Sequence, residues 1–128
     1  EHLPPAEHTF FYNQQRFTLN VTRADMIAAG WSPSVRLFEA GACGTPVISD
    51  IWRGLGDFFP LGEAILTAET GEDVVALLED TDEARRAAIA SMARQITMDA
   101  HTGRARARQL INSITQLQRT ASRIRESA

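Results

Sequence analysis

Hydrophobic and polar positions along the chain switch between two periods, and that switching predicts strands interleaved with helices. Pro4 and Pro5, followed by Ala6, Glu7 and the apolar set Phe10, Phe11 and Tyr12, predict a short helix with its prolines at the start, where a missing amide hydrogen costs least. Arg16 to Val21 alternates and is rich in strand formers, so a first strand is expected there. Thr22 to Ala29 reads as a short helical connection ended by Gly30. Ser32 is the expected cap of a second helix, with Pro33 in its first turn, running to Cys43 and stopping at Gly44. Pro46 to Ser49, centred on Val47 and Ile48, suits a strand buried on both faces of a parallel sheet. Asp50 to Gly62 is expected to be loop, with room for one helical turn.

Glu63 to Thr67 predicts a third strand. Thr70-Gly-Glu-Asp73, ahead of Val74, Val75, Leu77 and Leu78, is a capping-box pattern that starts a helix. Asp80-Thr-Asp-Glu83 starts another, with Ile89, Met92 and Ile96 on one side, ending near Asp99. The last helix carries Leu110, Ile114, Leu117, Ala121 and Ile124 at alternating spacings of four and three, which reads as a packing seam. The order βαβαβ followed by helices implies an α/β fold with a small parallel sheet of about three strands. Such a sheet leaves two edges open. The edge of the Arg16 to Val21 strand is therefore expected to be hidden by self-association into a homo-oligomer or by the chain's own tail. A complete doubly wound domain holds two such halves around a ligand crevice, so this chain supplies one wall of it.

Composition narrows the class. The 128 residues, 44% apolar and 23% charged, suit one domain with one modest core. The longest apolar runs, Met26 to Gly30 and Leu37 to Ala42, fall far short of the roughly 20 residues that span a bilayer, so no transmembrane segment is expected. The opening Glu-His-Leu-Pro-Pro reads as a cut rather than a beginning. A lone Cys43 in an apolar stretch fits a reducing, cytoplasmic setting and a packed thiol rather than a catalytic one. The net charge of −3 hides an acidic body and a basic tail: residues 84 to 128 hold 9 arginines against 2 acids. A solvated helical face or a dock on an acidic neighbour explains that tail better than a nucleic-acid partner or an anionic membrane. His2, His8 and His101 lack metal-ligand spacing and read as surface residues, with no protein-held metal expected. Met92 and Met98 read as helix packing.

One residue breaks the pattern. Glu39 stands among Val35, Leu37, Phe38, Ala40, Ala42 and Cys43 on a helix that is otherwise nearly all apolar, and a carboxylate there needs a donor. One reading is a salt bridge to Arg36 or Arg53. The other is functional: Glu39 lies five residues past Ser34, roughly 7 to 8 Å along the axis, which matches the ribose-to-diphosphate spacing of a nucleotide. A helix N-terminus with Ser32 and Ser34 alongside suits a diphosphate, while the carboxylate further in can accept both ribose hydroxyls. Two loops at strand ends offer further contacts: Asn20, Thr22 and Arg23 after the first strand, and Asp50, Trp52, Arg53, Gly54 and Gly56 after the second. Arg23 or Arg53 could meet a phosphate, Trp52 could stack on a ring, and the glycines permit close backbone approach; turn chemistry alone explains the same residues equally well.

The run Arg36-Leu-Phe-Glu-Ala-Gly-Ala-Cys-Gly-Thr-Pro-Val-Ile-Ser-Asp50 resembles the Glu-Ala-x-Ala-Cys-Gly-x-Pro segment of GT-B glycosyltransferases. Phe17-Thr-Leu-Asn-Val-Thr-Arg23, Gly30-Trp-Ser-Pro-Ser-Val-Arg36 and Ser49-Asp-Ile-Trp-Arg-Gly-Leu55 are more closely similar to the CgeB-like, spore-maturation-type glycosyltransferases. The similarity covers about residues 4 to 105. It implies that residues 1–83 form part of a Rossmann-like nucleotide-sugar-binding domain, the C-terminal domain of a GT-B enzyme, with residues 84–128 as helices packing on it or extending from it. It implies a nucleotide diphosphate sugar as donor substrate, no permanently bound cofactor, and transfer to an unknown acceptor. The missing partner would be an N-terminal acceptor domain of the same longer protein, without which this piece is inactive. Glu39 takes the ribose-binding role by that resemblance, with Ser32, Ser34, Val35, Arg23, Trp52 and Gly54 as the other expected donor contacts. The sequence departs from the pattern at Trp31, eight residues before Glu39, where many retaining GT-B enzymes carry a second glutamate near the donor sugar. No general base is assigned, and a non-catalytic nucleotide-binding or scaffold module is the alternative.

Overall fold

The computed structural model describes residues 3–126, with side chains described up to residue 123. The expectations for His2 and for the side chain of Ile124 lie outside the described residues. In chain order the elements are α1 (Pro5–Asn13), β1 (Thr18–Asn20), α2 (Ala24–Ala29), α3 (Val35–Cys43), β2 (Val47–Ser49), α4 (Leu55–Phe58), β3 (Leu66–Thr67), α5 (Gly71–Asp80), α6 (Glu83–Ala100) and α7 (Gly103–Glu126). The strands form one parallel sheet in the order β1-β2-β3. This is the expected α/β architecture of three strands interleaved with helices and followed by C-terminal helices.

Local chemistry accounts for most of the boundaries. Pro5 opens α1, and Gly44 ends α3 in the left-handed conformation at φ 71°, where a side chain would be strained. Thr70 and Asp73 close a reciprocal capping box on α5: Thr70 Oγ1 accepts the Asp73 amide at 3.2 Å and the Asp73 carboxylate accepts the Thr70 amide at 2.9 Å. These backbone bonds hold the Asp73 carboxyl below the usual carboxylate range. Asp82 caps α6 by accepting the Arg85 amide at 2.7 Å.

Two boundaries differ from expectation. Ser34, not Ser32, caps α3; its Oγ accepts the Arg36 amide at 3.4 Å. The Trp31 amide bonds the Arg53 carbonyl at 2.8 Å, which anchors the approach and leaves Ser34 as the serine at the helix end. The strands are also shorter than the apolar runs that contain them, because β1 has only the three residues of β2 to pair with.

Register explains the core. Thr18 and Asn20 pair with Val47 and Ser49, while Leu19 pairs with Ile48. One face of the sheet therefore carries Val47, which packs with Tyr12, Leu37, Ala40, Leu55, Phe59 and Ala93. The other carries Ile48 and Leu66, which pack with Ile89 and are flanked by Phe17, Val74 and Leu77. On β1 this phase buries the polar Thr18 and Asn20 and turns Leu19 and Val21 to solvent.

The main helix contact is α3 on α6, made close by Gly41: a Cβ there would lie 2.5 Å from Thr97 Oγ1. Ile89 and Ala93 face the core and Ile96 packs beside it, whereas Met92 and Met98 are exposed rather than packed as expected. The expected seam of α7 also faces solvent, with Leu117 70% exposed and Leu110, Ile111 and Ile114 similarly bare. Leu19 on the edge strand β1 and Val21 just after it are both exposed. Among the described residues no helix is long and apolar enough to cross a membrane.

Candidate functional site

The expected binding helix and the N-terminal helix together form a cleft. It has a volume of about 530 Å³ and is lined by Leu3, His8, Phe11 and Tyr12 on one wall and Ser34, Val35, Arg36 and Glu39 on the other. That size falls within the range of small-molecule sites. The fold builds it by laying α1 across α3, so that an aromatic helix face meets the polar first turns of α3.

Glu39 is 34% exposed in its side chain and turns toward α1. Its Oε1 lies 3.2 Å from His8 Nδ1, and its Oε2 accepts from the Tyr12 hydroxyl at 3.4 Å. Neither Arg36 nor Arg53 serves as the salt-bridge partner that the sequence suggested. Arg36 donates instead to Asn20 Oδ1 at 3.1 Å, tying the first turn of α3 to the carboxyl end of β1. Arg53 lies over the Trp31 ring, 4.3 Å from its centroid. Burial, then the neighbouring Glu39 carboxylate, push the Tyr12 hydroxyl above its ordinary range, so it remains a donor.

Of the residues expected to bind donor, Ser34, Val35 and Glu39 share this cleft; Ser32, Arg23, Trp52 and Gly54 do not line it. Trp52 is 6% exposed and belongs to the core against Leu55 and Phe58, with its Nε1 buried and unpaired among the described residues. Gly54 packs under Trp31, whose ring a Cβ at position 54 would strike, and its φ of 98° favours glycine independently. Trp31 itself is 49% exposed at φ 43° and donates from Nε1 to Asp57 Oδ2 at 2.6 Å. The position eight residues before Glu39 is thus filled by an indole held between Arg53 and Asp57.

The residues at the carboxyl ends of β1 and β2 and just beyond them form a largely buried polar junction. Asn20 Nδ2 donates to Thr22 Oγ1 at 3.1 Å and to Ser49 Oγ at 3.0 Å. Asp50 Oδ1 accepts from the Thr22 hydroxyl at 2.7 Å and from its amide at 3.1 Å. These bonds join the carboxyl ends of two strands beside the cleft, and they give Asn20, Thr22 and Asp50 a structural task.

His8, Phe11, Tyr12 and Arg36 were missed as site residues. His8 and Tyr12 are four apart on a helix, so they share a face, and that spacing was the available signal. Both histidines within the described residues are half-buried rather than surface groups. His101 packs against Phe38 at 4.9 Å between ring centroids, and burial lowers its pKa. Cys43 is half-buried and its thiol is pushed up by burial, as an unreactive packed cysteine should be.

A parallel sheet with a cleft at the amino end of a crossover helix defines an α/β protein whose cleft lies near the strand ends, where ligands of such folds bind. The sequence pattern of the Glycosyl transferase-like family matches residues 1–112, and the chain belongs to that family. No curated protein and no solved structure matched it.

Proposed function

We propose that the cleft between α1 and α3 is the donor site of a glycosyltransferase of the CgeB-like type, taking a nucleotide diphosphate sugar. The observation that carries this reading is the placing of Glu39, Ser34 and Arg36 on one wall of one cleft. Glu39 accepts from the two ribose hydroxyls, a pairing of ionised acceptor with neutral donors that is stronger than an ordinary hydrogen bond. The diphosphate lies at the amino end of α3, where the helix dipole, the Ser34 hydroxyl and the Arg36 guanidinium all favour negative charge. Val35 lies at the same end. Gly54 acts through the fold beneath Trp31 and Trp52 through the core, while Ser32 and Arg23 do not line the cleft.

Catalytic help from this chain is electrostatic and positional. Fixing the donor and neutralising charge on the departing nucleotide diphosphate lowers the barrier without a covalent step. A second reading, a nucleotide-binding module without turnover, is favoured by one observation: Trp31 occupies the place of a catalytic carboxylate and is fastened there by Asp57 and Arg53.

Ligand-observed NMR and calorimetry with UDP-glucose, UDP-N-acetylglucosamine, GDP-mannose and dTDP-glucose test the site. At least one should bind, and Glu39→Gln should weaken it by about tenfold or more, the effect of losing hydrogen bonds to a charged group. Binding unaffected by Glu39→Gln would move the ribose elsewhere. Turnover of the bound donor by the full-length protein separates the enzyme from the silent module.

A further inference from the structure

His8 stands between two acceptors. Its Nε2 lies 3.1 Å from the Leu3 carbonyl oxygen, and its Nδ1 lies 3.2 Å from Glu39 Oε1. A carbonyl and a carboxylate both accept, and a neutral imidazole has one N–H to give. The ionised carboxylate is the stronger acceptor, so the N–H at Nδ1 is given to Glu39.

The ring is set for this task. It meets Tyr12 edge-on, at 6.3 Å between centroids and 82° between planes, and it is half-buried. Tyr12 reaches the second oxygen of the same carboxylate at 3.4 Å. Both Glu39 oxygens are thus held by α1, and the contact from Tyr12 is long enough to yield to an incoming hydroxyl. The charged and titratable groups around the imidazole are Glu39 and Arg36 on α3, Tyr12 on α1, and Cys43 across a second cleft of about 270 Å³. Arg36 is engaged by Asn20 and Cys43 by the Thr9 side chain, so Glu39 is the group that pairs with His8.

We propose that His8 is a positioning residue for Glu39: its Nδ1 fixes the carboxylate for the ribose of the donor, and donor affinity falls when that contact is removed. The proposal rests on the donor-site reading above. A carboxylate already held in one orientation loses less rotamer freedom on binding.

Two substitutions divide the ring's contacts. In His8→Asn the amide nitrogen stands where Nδ1 stood and keeps the donor to Glu39; in His8→Gln it reaches toward the Nε2 position and keeps only the Leu3 contact. Affinity for the same four nucleotide sugars is measured for the wild type and both variants. His8→Asn should bind close to the wild type, and His8→Gln should bind about tenfold less tightly. Equal affinities for His8→Gln and the wild type, or an equal loss in both variants, would overturn the proposal.

A ligand-free measurement keeps the two ideas apart. The Glu39 carboxylate carbon, followed by NMR in uniformly labelled protein, should move in His8→Gln and stay close to its wild-type position in His8→Asn. If no nucleotide sugar binds but this difference is present, the donor reading fails while His8 still positions Glu39. If the difference is absent, His8 does not position Glu39, whatever binds.

Discussion

Adding one methyl group at Gly41 tests the packing that holds the binding helix in place. A Cβ at position 41 would stand 2.5 Å from Thr97 Oγ1, with the Ala93 carbonyl at 3.5 Å. Thr97 has little freedom to retreat: it is buried, β-branched, and its hydroxyl donates to Ala93 O at 2.8 Å. Overpacking of this kind costs about 1 to 3 kcal/mol. Alanine regains up to about 1 kcal/mol of helix propensity over glycine. Gly41→Ala should therefore destabilise the fold by about 1 to 2 kcal/mol, a fall of several degrees in Tm for a chain of this size. Thr97→Ala removes the obstructing oxygen, so the double variant should recover most of what Gly41→Ala loses, and the pair should be strongly non-additive. Urea unfolding followed by circular dichroism measures all four proteins. A Gly41→Ala variant as stable as the wild type, or additive behaviour, would refute the argument that α3 and α6 meet through this glycine.

Other consequences concern charge and exposure. His101 has a lowered pKa because it is buried, so the unfolded chain binds more protons than the folded one near that residue's titration. Its contribution to stability is complete above the unfolded value of about 6.5 and is lost as pH falls from there through the lower folded value. His101→Phe should flatten stability against pH in that window; an unchanged slope would contradict the neutral, buried imidazole. Trp52 is core and Trp31 is not, so acrylamide should quench Trp52→Phe strongly and Trp31→Phe weakly, with blue-shifted emission in the latter. The reverse order would restore Trp52 as a surface residue. Leu117→Ser, at a position 70% exposed, should change the stability of the chain by less than about 0.5 kcal/mol. A larger loss would mean that the α7 stripe is buried by something in solution, and sedimentation would then report self-association.

Period, caps and breakers made the order of elements legible before any coordinates. The capping box at Thr70, the stop at Gly44 and the buried strand at Val47 and Ile48 are local devices, written in a few neighbouring residues, and they stand where they were expected. Glu39 was legible as an anomaly for the same reason, since a carboxylate among apolar neighbours violates a local rule. Its partners were not, because His8 and Tyr12 come from a helix some thirty residues away whose approach is fixed by the packing of α1 on α3. The fate of the two tryptophans was likewise tertiary: nothing local says that Trp52 points into the core while Trp31 stacks with Arg53 over Gly54. Amphipathic spacing identified apolar faces on β1 and α7, but spacing does not say what covers a face, and in this chain Leu19, Val21 and the α7 stripe remain exposed. Sequence determined the elements because hydrogen bonding and side-chain period act within a few residues. The cleft was decided only when those elements packed, because its two walls meet through contacts that no short stretch of chain contains.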